Sequence, residues 1–359
     1  MKLLLIASLV YIILFIALCL FSQFIRFDIP TKSCVLLMLT LTISLSVVAF
    51  FSTDNSNGTT GWDINRYYAD INKMRGKSFI YAFQNGLYKT SYVTNFLFFL
   101  ISRLENNAWL QVVSTSVSTI ILFYVIFSKT KMDGLIFSDL ALYILLIFSF
   151  VGFSVMLMGV RWILALSTSA LATNIEEYRY SNKLNFLSVL LYFIAFFTHY
   201  GIIFFIIVRI CTIGNFKGMK YILPFLLLVI ASLDKLAKYG ETFNFLYDRL
   251  ESYKGVQVQD SRVMIVQYIM FVITIMIEIR QKDESVNYLS ANILSSALGT
   301  VSVQYLFTRM LSVYIVITPS KLLIEAKNDT LLRYVILFLS VGLLMYQLVF
   351  IKNYWRFTI

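Results

Sequence analysis

Long apolar runs, each closed by a short polar stretch, follow one another along almost the whole chain. They cover about 3–21, 34–52, 108–128, 135–156, 159–174, 185–198, 200–213, 221–236, 262–279, 288–306, 310–324 and 333–351. Most come near the roughly 20 residues that a helix needs to cross hydrocarbon. The pattern predicts an all-α, polytopic integral membrane protein of about 11–12 transmembrane helices, with residues 1–359 forming a single transmembrane domain. Segment 91–102 is apolar but too short to span, and reads as a re-entrant or interfacial helix. The longest polar stretches, 52–90 and 234–262, leave no room for a soluble domain. No fixed-period repeat is present.

Composition agrees. The 359 residues are 59% hydrophobic and 14% charged, where a soluble domain carries about 25% charge. The net charge of +11 raises the question of nucleic acid. Lys and Arg, however, sit in the short loops between apolar runs. That is the distribution of topology signals, not of a binding stripe, and no nucleic-acid partner is expected. Cys19, Cys34 and Cys211 lie in or beside apolar runs, an odd number without pairing or zinc-ligand spacing. No small-x-small site follows the first run, which reads as a retained helix.

Basic residues also orient the chain. With loop 53–90 outward, loops 22–33, 129–134, 175–184, 214–220, 280–287 and 325–332 fall inward, most with a basic pair. This requires the chain to break and turn at Thr198-His199-Tyr200-Gly201, because otherwise every later loop would invert. Arg66, Lys73, Arg75, Lys77 and Lys89 in loop 53–90 run against the assignment, although long loops obey the rule less strictly. In this orientation Asp63, Arg66, Arg161, His199 and Arg309 lie at outward helix ends or in the outer loop. A second outer loop, 237–261, adds Glu241, Asp248, Arg249, Glu251 and Asp260. The expectation is an outward-facing polar cavity.

Charged and titratable groups at membrane depth ask for a reason. Arg161 opens one apolar run just after Gly159, and its planar fork suits phosphate or carboxylate oxygens. The competing reading is an interfacial arginine that snorkels to headgroups, and Arg309 carries the same two readings. His199 is the chain's one histidine. It reads either as a general base or as a neutral imidazole hydrogen-bonded between helices. Asp63 and Tyr67 are four apart and share a face on a helix. Asp63 beside Arg66 could orient or deprotonate a hydroxyl. Trp62, Arg66, Tyr67 and neighbouring tyrosines would hold a glycan, or form the aromatic belt of a membrane interface. A phosphate-binding glycine loop, metal-ligand spacing and a Gly-x-Ser-x-Gly elbow are all missing, and so are the paired Gly/Pro-broken helices of many transporters. No metal and no cofactor are expected.

Four short patterns in order carry a resemblance. They are Gly61-Trp62-Asp63 with Tyr67, Val160-Arg161-Trp162 with Ala165, Phe197-Thr198-His199-Tyr200, and Phe307-Thr308-Arg309 with Tyr314. Together they resemble the EpsG family, which belongs with the Wzy-type polymerases of bacterial O-antigens, capsules and exopolysaccharides, over about residues 50–320. Two positions depart from the family pattern: Trp162 follows Arg161 where the family has Gln, and Tyr200-Gly201 follow His199. The resemblance implies a metal-independent glycosyltransferase in the bacterial cytoplasmic (inner) membrane. It would join undecaprenyl-diphosphate-linked oligosaccharide repeat units at the outer face. Arg161 and Arg309 would bind the donor diphosphate, His199 or Asp63 would take the proton from the attacking hydroxyl, and the aromatic outer loop would hold the acceptor glycan. The lipid bilayer surrounds the protein, with a chain-length regulator and a flippase of the same pathway as candidate partners. Three other readings compete: a flippase or transporter of the lipid-linked oligosaccharide, a membrane acyltransferase decorating the polymer, and a non-enzymatic scaffold.

Overall fold

The computed structural model describes residues 2–25, 28–54, 64–86, 91–132, 136–179, 184–203, 205–206, 209, 261–281, 311–313, 315–316, 319–350 and 355–357. The chain falls into two compact units, Met1–Ile203 with Ala326–Ile359, and Phe204–Glu325.

In the first unit α1 (Lys2–Phe24) and α2 (Thr31–Phe51) form a hairpin. Strand β1 (Ser52–Asp54) leads towards three short helices, α3 (Ile64–Met74), α4 (Phe79–Asn85) and α5 (Tyr92–Ile101). Then come α6 (Trp109–Met132), α7 (Phe137–Leu146), a wide π turn at Ile147–Gly152, α8 (Phe153–Met158), α9 (Val160–Arg179) and α10 (Phe186–Thr198). The second unit contains α11 (Ser261–Gln281). Helix α12 (Pro319–Asn328) runs from the second unit into the first, followed by α13 (Thr330–Phe350) and β2 (Trp355–Phe357). Apart from the antiparallel pairing of β1 with β2, the described chain is helical.

Four described helices are long and apolar enough to cross a membrane: α1, α2, α6 over Trp109–Ser128 and α13 over Thr330–Gln347. Shorter apolar segments lie at Tyr92–Ile101, Phe137–Gly152, Phe186–Thr198 and Ile265–Thr274. The expected spans 221–236 and 288–306, half of 200–213, and loop 237–261 up to 260 lie outside the described residues.

Helices α2, α6 and α9 meet along seams of small and hydroxyl-bearing residues. Buried Thr42, Ser46, Ser114, Thr115, Ala165, Ser169, Ala172 and Thr173 let the backbones approach closely. In an apolar setting their hydroxyls need partners, and several return to the preceding turn: Thr42 to the Met38 carbonyl, Ser46 to that of Thr42, and Thr173 to that of Ser169. Ser46 and Ser116 also meet across α2 and α6 at 2.6 Å.

The expected run 135–156 is not one helix. Gly152 has φ 96°, which a side chain rarely tolerates, and it separates the π turn from α8. The interruption exposes two backbone groups, and Gln347 of α13 serves both. Its Nε2 donates to the Ser149 carbonyl at 2.6 Å, and its Oε1 accepts from the Phe153 N–H at 3.3 Å.

A buried ion pair fastens the first unit where α1 ends and α7 and α13 begin. Arg333 donates to Asp139 Oδ1 at 2.5 Å and to Gln23 Oε1 at 2.8 Å. Asp139 Oδ2 accepts the Ile136 N–H at 3.0 Å, and Gln23 donates onward to the Ser138 carbonyl at 2.8 Å. Arg333 and Asp139 are 2% and 1% exposed. Asp329 Oδ1 accepts the Leu332 N–H and so caps α13.

Candidate active site

Three helix ends converge around Arg161 and His199. The first is the start of α9, placed by Gly159. There the backbone turns (φ −80°, ψ 44°) and the Gly159 N–H bonds the Val155 carbonyl at 2.8 Å. A Cβ at this position would lie 2.7 Å from that carbonyl oxygen. The sequence can therefore end α8 and begin α9 at this point only with glycine, and Arg161 falls in the first turn of the new helix.

The second is the end of α10. His199 leaves helical geometry (φ −151°, ψ 105°), and the turn Tyr200–Ile202 follows, so the break expected at 198–201 is present. The ending leaves the Thr198 carbonyl without a partner inside the helix. Two side chains supply one: Arg161 Nε at 3.2 Å and Thr94 Oγ1 at 2.9 Å. A guanidinium at this pole is favoured by the helix dipole as well.

The third is the start of α5. Ser91, just before it, accepts from Arg161 Nη2 at 2.7 Å. Thr94 follows one turn later. Ser91, Thr94 and Thr198 are all buried, and Arg161 is 4% exposed.

His199 is 8% exposed and held by rings. Trp162 meets it edge to face at 5.4 Å and Tyr200 lies parallel to it at 5.5 Å. Its Nδ1 accepts the Gly201 N–H at 3.1 Å. A neutral imidazole has one donor and one acceptor nitrogen, so this bond assigns the ring proton to Nε2. In this state the ring proton of His199 is on Nε2. Action as a base at Nε2 would first require the proton to move to Nδ1, at the expense of the Gly201 bond.

Of the other expected site residues, Arg66 and Tyr67 are described. Tyr67 is buried beneath α3 with its ring 5.2 Å from Phe98, in a cluster with Ile64, Ile71, Met74, Ile101, Leu110 and Val160. Its ring packs in the core, because the apolar face of α3 turns inward at that position. Arg66 is on the exposed face of the same helix. Asp63, Trp62 and Arg309 lie outside the described residues.

Sequence reasoning passed over Ser91 and Thr94. The available signal was two hydroxyl residues three apart at the head of the short apolar segment 91–102. It also passed over the fastening of α3. Tyr68 donates to Gln111, whose Nε2 donates to the Ser52 carbonyl at 3.2 Å. Burial pushes the Tyr68 phenol well above the usual tyrosine range, which keeps it a neutral donor. Arg75 bonds the carbonyls of Leu104 at 2.8 Å and Glu105 at 3.0 Å.

Among the described residues no group of acidic, histidine or cysteine side chains is arranged to hold a metal ion. Comparison with protein-family models, with curated proteins and with solved structures finds no match.

Proposed function

We propose that this chain is a polysaccharide polymerase that joins polyprenyl-diphosphate-linked glycan repeat units at the membrane face bearing α3–α5. One observation carries the reading. Arg161 and His199, on different helices, are brought to one point: Arg161 Nε reaches the carbonyl of the residue before His199, and the ring of Trp162 lies against the imidazole. A buried guanidinium with its fork held in place, beside an imidazole protonated at Nε2, suits the oxygens of a diphosphate leaving group.

In the reaction, an acceptor hydroxyl oxygen forms a bond to the anomeric carbon of the donor sugar as the bond from that carbon to the diphosphate oxygen breaks. The electron pair leaves with the diphosphate, where Arg161 and the Nε2–H of His199 stabilise it. Arg309 would complete the grip. The hydroxyl proton passes to a base, and the tautomer of His199 favours Asp63 for that role.

Two experiments test this reading. The first is gene deletion, with the surface polysaccharide run on a gel and lipid-linked intermediates analysed. Collapse of the long-chain ladder to a single repeat unit at the outer face is expected. Accumulation of lipid-linked units at the inner face would instead identify a flippase, and an intact ladder with altered acylation an acyltransferase. The second uses substitutions. Arg161→Ala should reduce chain growth about 10²–10³-fold, the usual loss for one transition-state donor, while the protein still accumulates. Arg161→Lys should rescue it poorly, because a point charge lacks the fork. At position 199, asparagine retains an acceptor near Nδ1 and glutamine a donor near Nε2. Greater residual activity in His199→Gln than in His199→Asn supports the donor role, and the reverse order assigns His199 to the turn.

A further inference from the structure

We infer that the α4–α5 hairpin is a seat for anionic phospholipid, with its apolar face in the acyl chains and Lys77 and Arg103 at the level of the phosphates. Helix α5 has two unlike faces. Thr94, Asn95, Phe98 and Ile101 are buried. On the other face Tyr92, Phe96, Leu100 and, just past the helix, Leu104 recur every fourth residue and are 46%, 44%, 45% and 41% exposed. Here the open face of the helix is the apolar one, the reverse of a helix that meets water.

Helix α4 widens the surface with Phe79 and Ile80, both exposed. Phe79 packs against Phe83, Phe96 and Phe99 with ring centroids 4.6, 5.9 and 5.2 Å away, and Phe83 stacks on Tyr92 at 6.0 Å. The surface is therefore a continuous sheet of rings. A ten-residue helix such as α5 is about 15 Å long, half of the roughly 30 Å of hydrocarbon. It cannot cross the bilayer, and it fits the shallow boundary between acyl chains and headgroups.

The charge lies where that boundary needs it. At the open end of the hairpin the Arg103 guanidinium sits 4.4 Å over the Phe99 ring and donates to the Lys77 carbonyl, and Lys77 Nζ lies 5.7 Å from the Tyr81 ring. Both side chains are exposed. Between Arg75 and Glu105 the sequence carries Arg75, Lys77, Lys89 and Arg103 against Glu105 alone. Cations beside aromatic rings at the edge of an apolar face complement lipid phosphates. The inference does not depend on the proposed polymerase activity.

The test uses the full-length protein in nanodiscs of phosphatidylcholine, with and without phosphatidylglycerol. Leu100→Cys, in a background with the native cysteines replaced by alanine, carries an environment-sensitive fluorophore. Quenching by lipids brominated in the upper acyl chain, with little quenching by aqueous iodide, is the expected result. Stronger quenching by iodide, or protection from both quenchers as under a covering protein, overturns the proposal. Separately, Lys77→Gln with Arg103→Gln should retain phosphatidylglycerol roughly 30-fold less well, from about fivefold per basic residue. Both side chains are exposed, so the variant should melt like the wild type. Equal retention of phosphatidylglycerol and phosphatidylcholine by wild type and variant overturns the headgroup assignment even where the labelled variant fails to fold.

Discussion

Two arginines described as buried in the first unit have unlike described partners. Arg333 faces the Asp139 carboxylate and a glutamine, charge against charge, at the junction of three helices. The described hydrogen bonds of Arg161 run to a backbone carbonyl and a serine hydroxyl, with an imidazole and an indole close by. The first arrangement neutralises a cation inside the protein. The two described bonds of the second fix the direction of the guanidinium.

The comparison can be broken most directly at Asp139. Asp139→Ala leaves Arg333 buried without its counter-ion and should lower stability by about 3–5 kcal/mol, seen as a large drop in the thermal unfolding midpoint in detergent. Asp139→Leu combined with Arg333→Met should recover most of that loss. Failure of the double variant to improve on the single one would show that the pair has a task beyond neutralisation. Gln347→Leu comes next. It strips partners from the Ser149 carbonyl and the Phe153 N–H and should lower stability by about 2 kcal/mol, read in the same melt. The smallest effect is expected at Ser91. Ser91→Ala removes one hydrogen bond from Arg161, about 1 kcal/mol, while the polymer ladder shortens more than the melt would suggest. Ser91→Thr, which keeps the hydroxyl, should restore it. A ladder that tracks stability alone would make Ser91 a structural residue only.

Much of the fold can be read from the apolar runs, because hydrocarbon imposes a minimum helix length and leaves few alternatives. Helices α1, α2, α6, α9, α10 and α13 lie close to their expected positions. The break at 198–201 emerged from charge placement, because without it the basic loops would change sides. Helices α3 and α4 were not visible: they are short and sit in a stretch read as an outer loop. The interruption at Gly152 lies within an unbroken apolar run, where one glycine is a weak signal, and its decisive partner is 194–198 residues away. The same distance hides Arg333 with Asp139, separated by 194 residues, and Arg333 with Gln23, separated by 310. At the site, the residue types of Arg161 and His199 drew attention to them, whereas Ser91 and Thr94 have meaning only once α5 is placed beside α9 and α10.

Arg333 holds α7 at Asp139, and Gln347 holds the π turn and the start of α8 at Ser149 and Phe153, the two about four turns apart along α13. A slide of α13 by a single residue, about 1.5 Å, would pull both contacts out of register at once. Sliding of α13 along the α7–α8 segment is therefore opposed at both points, whereas tilting the two together leaves both contacts in register.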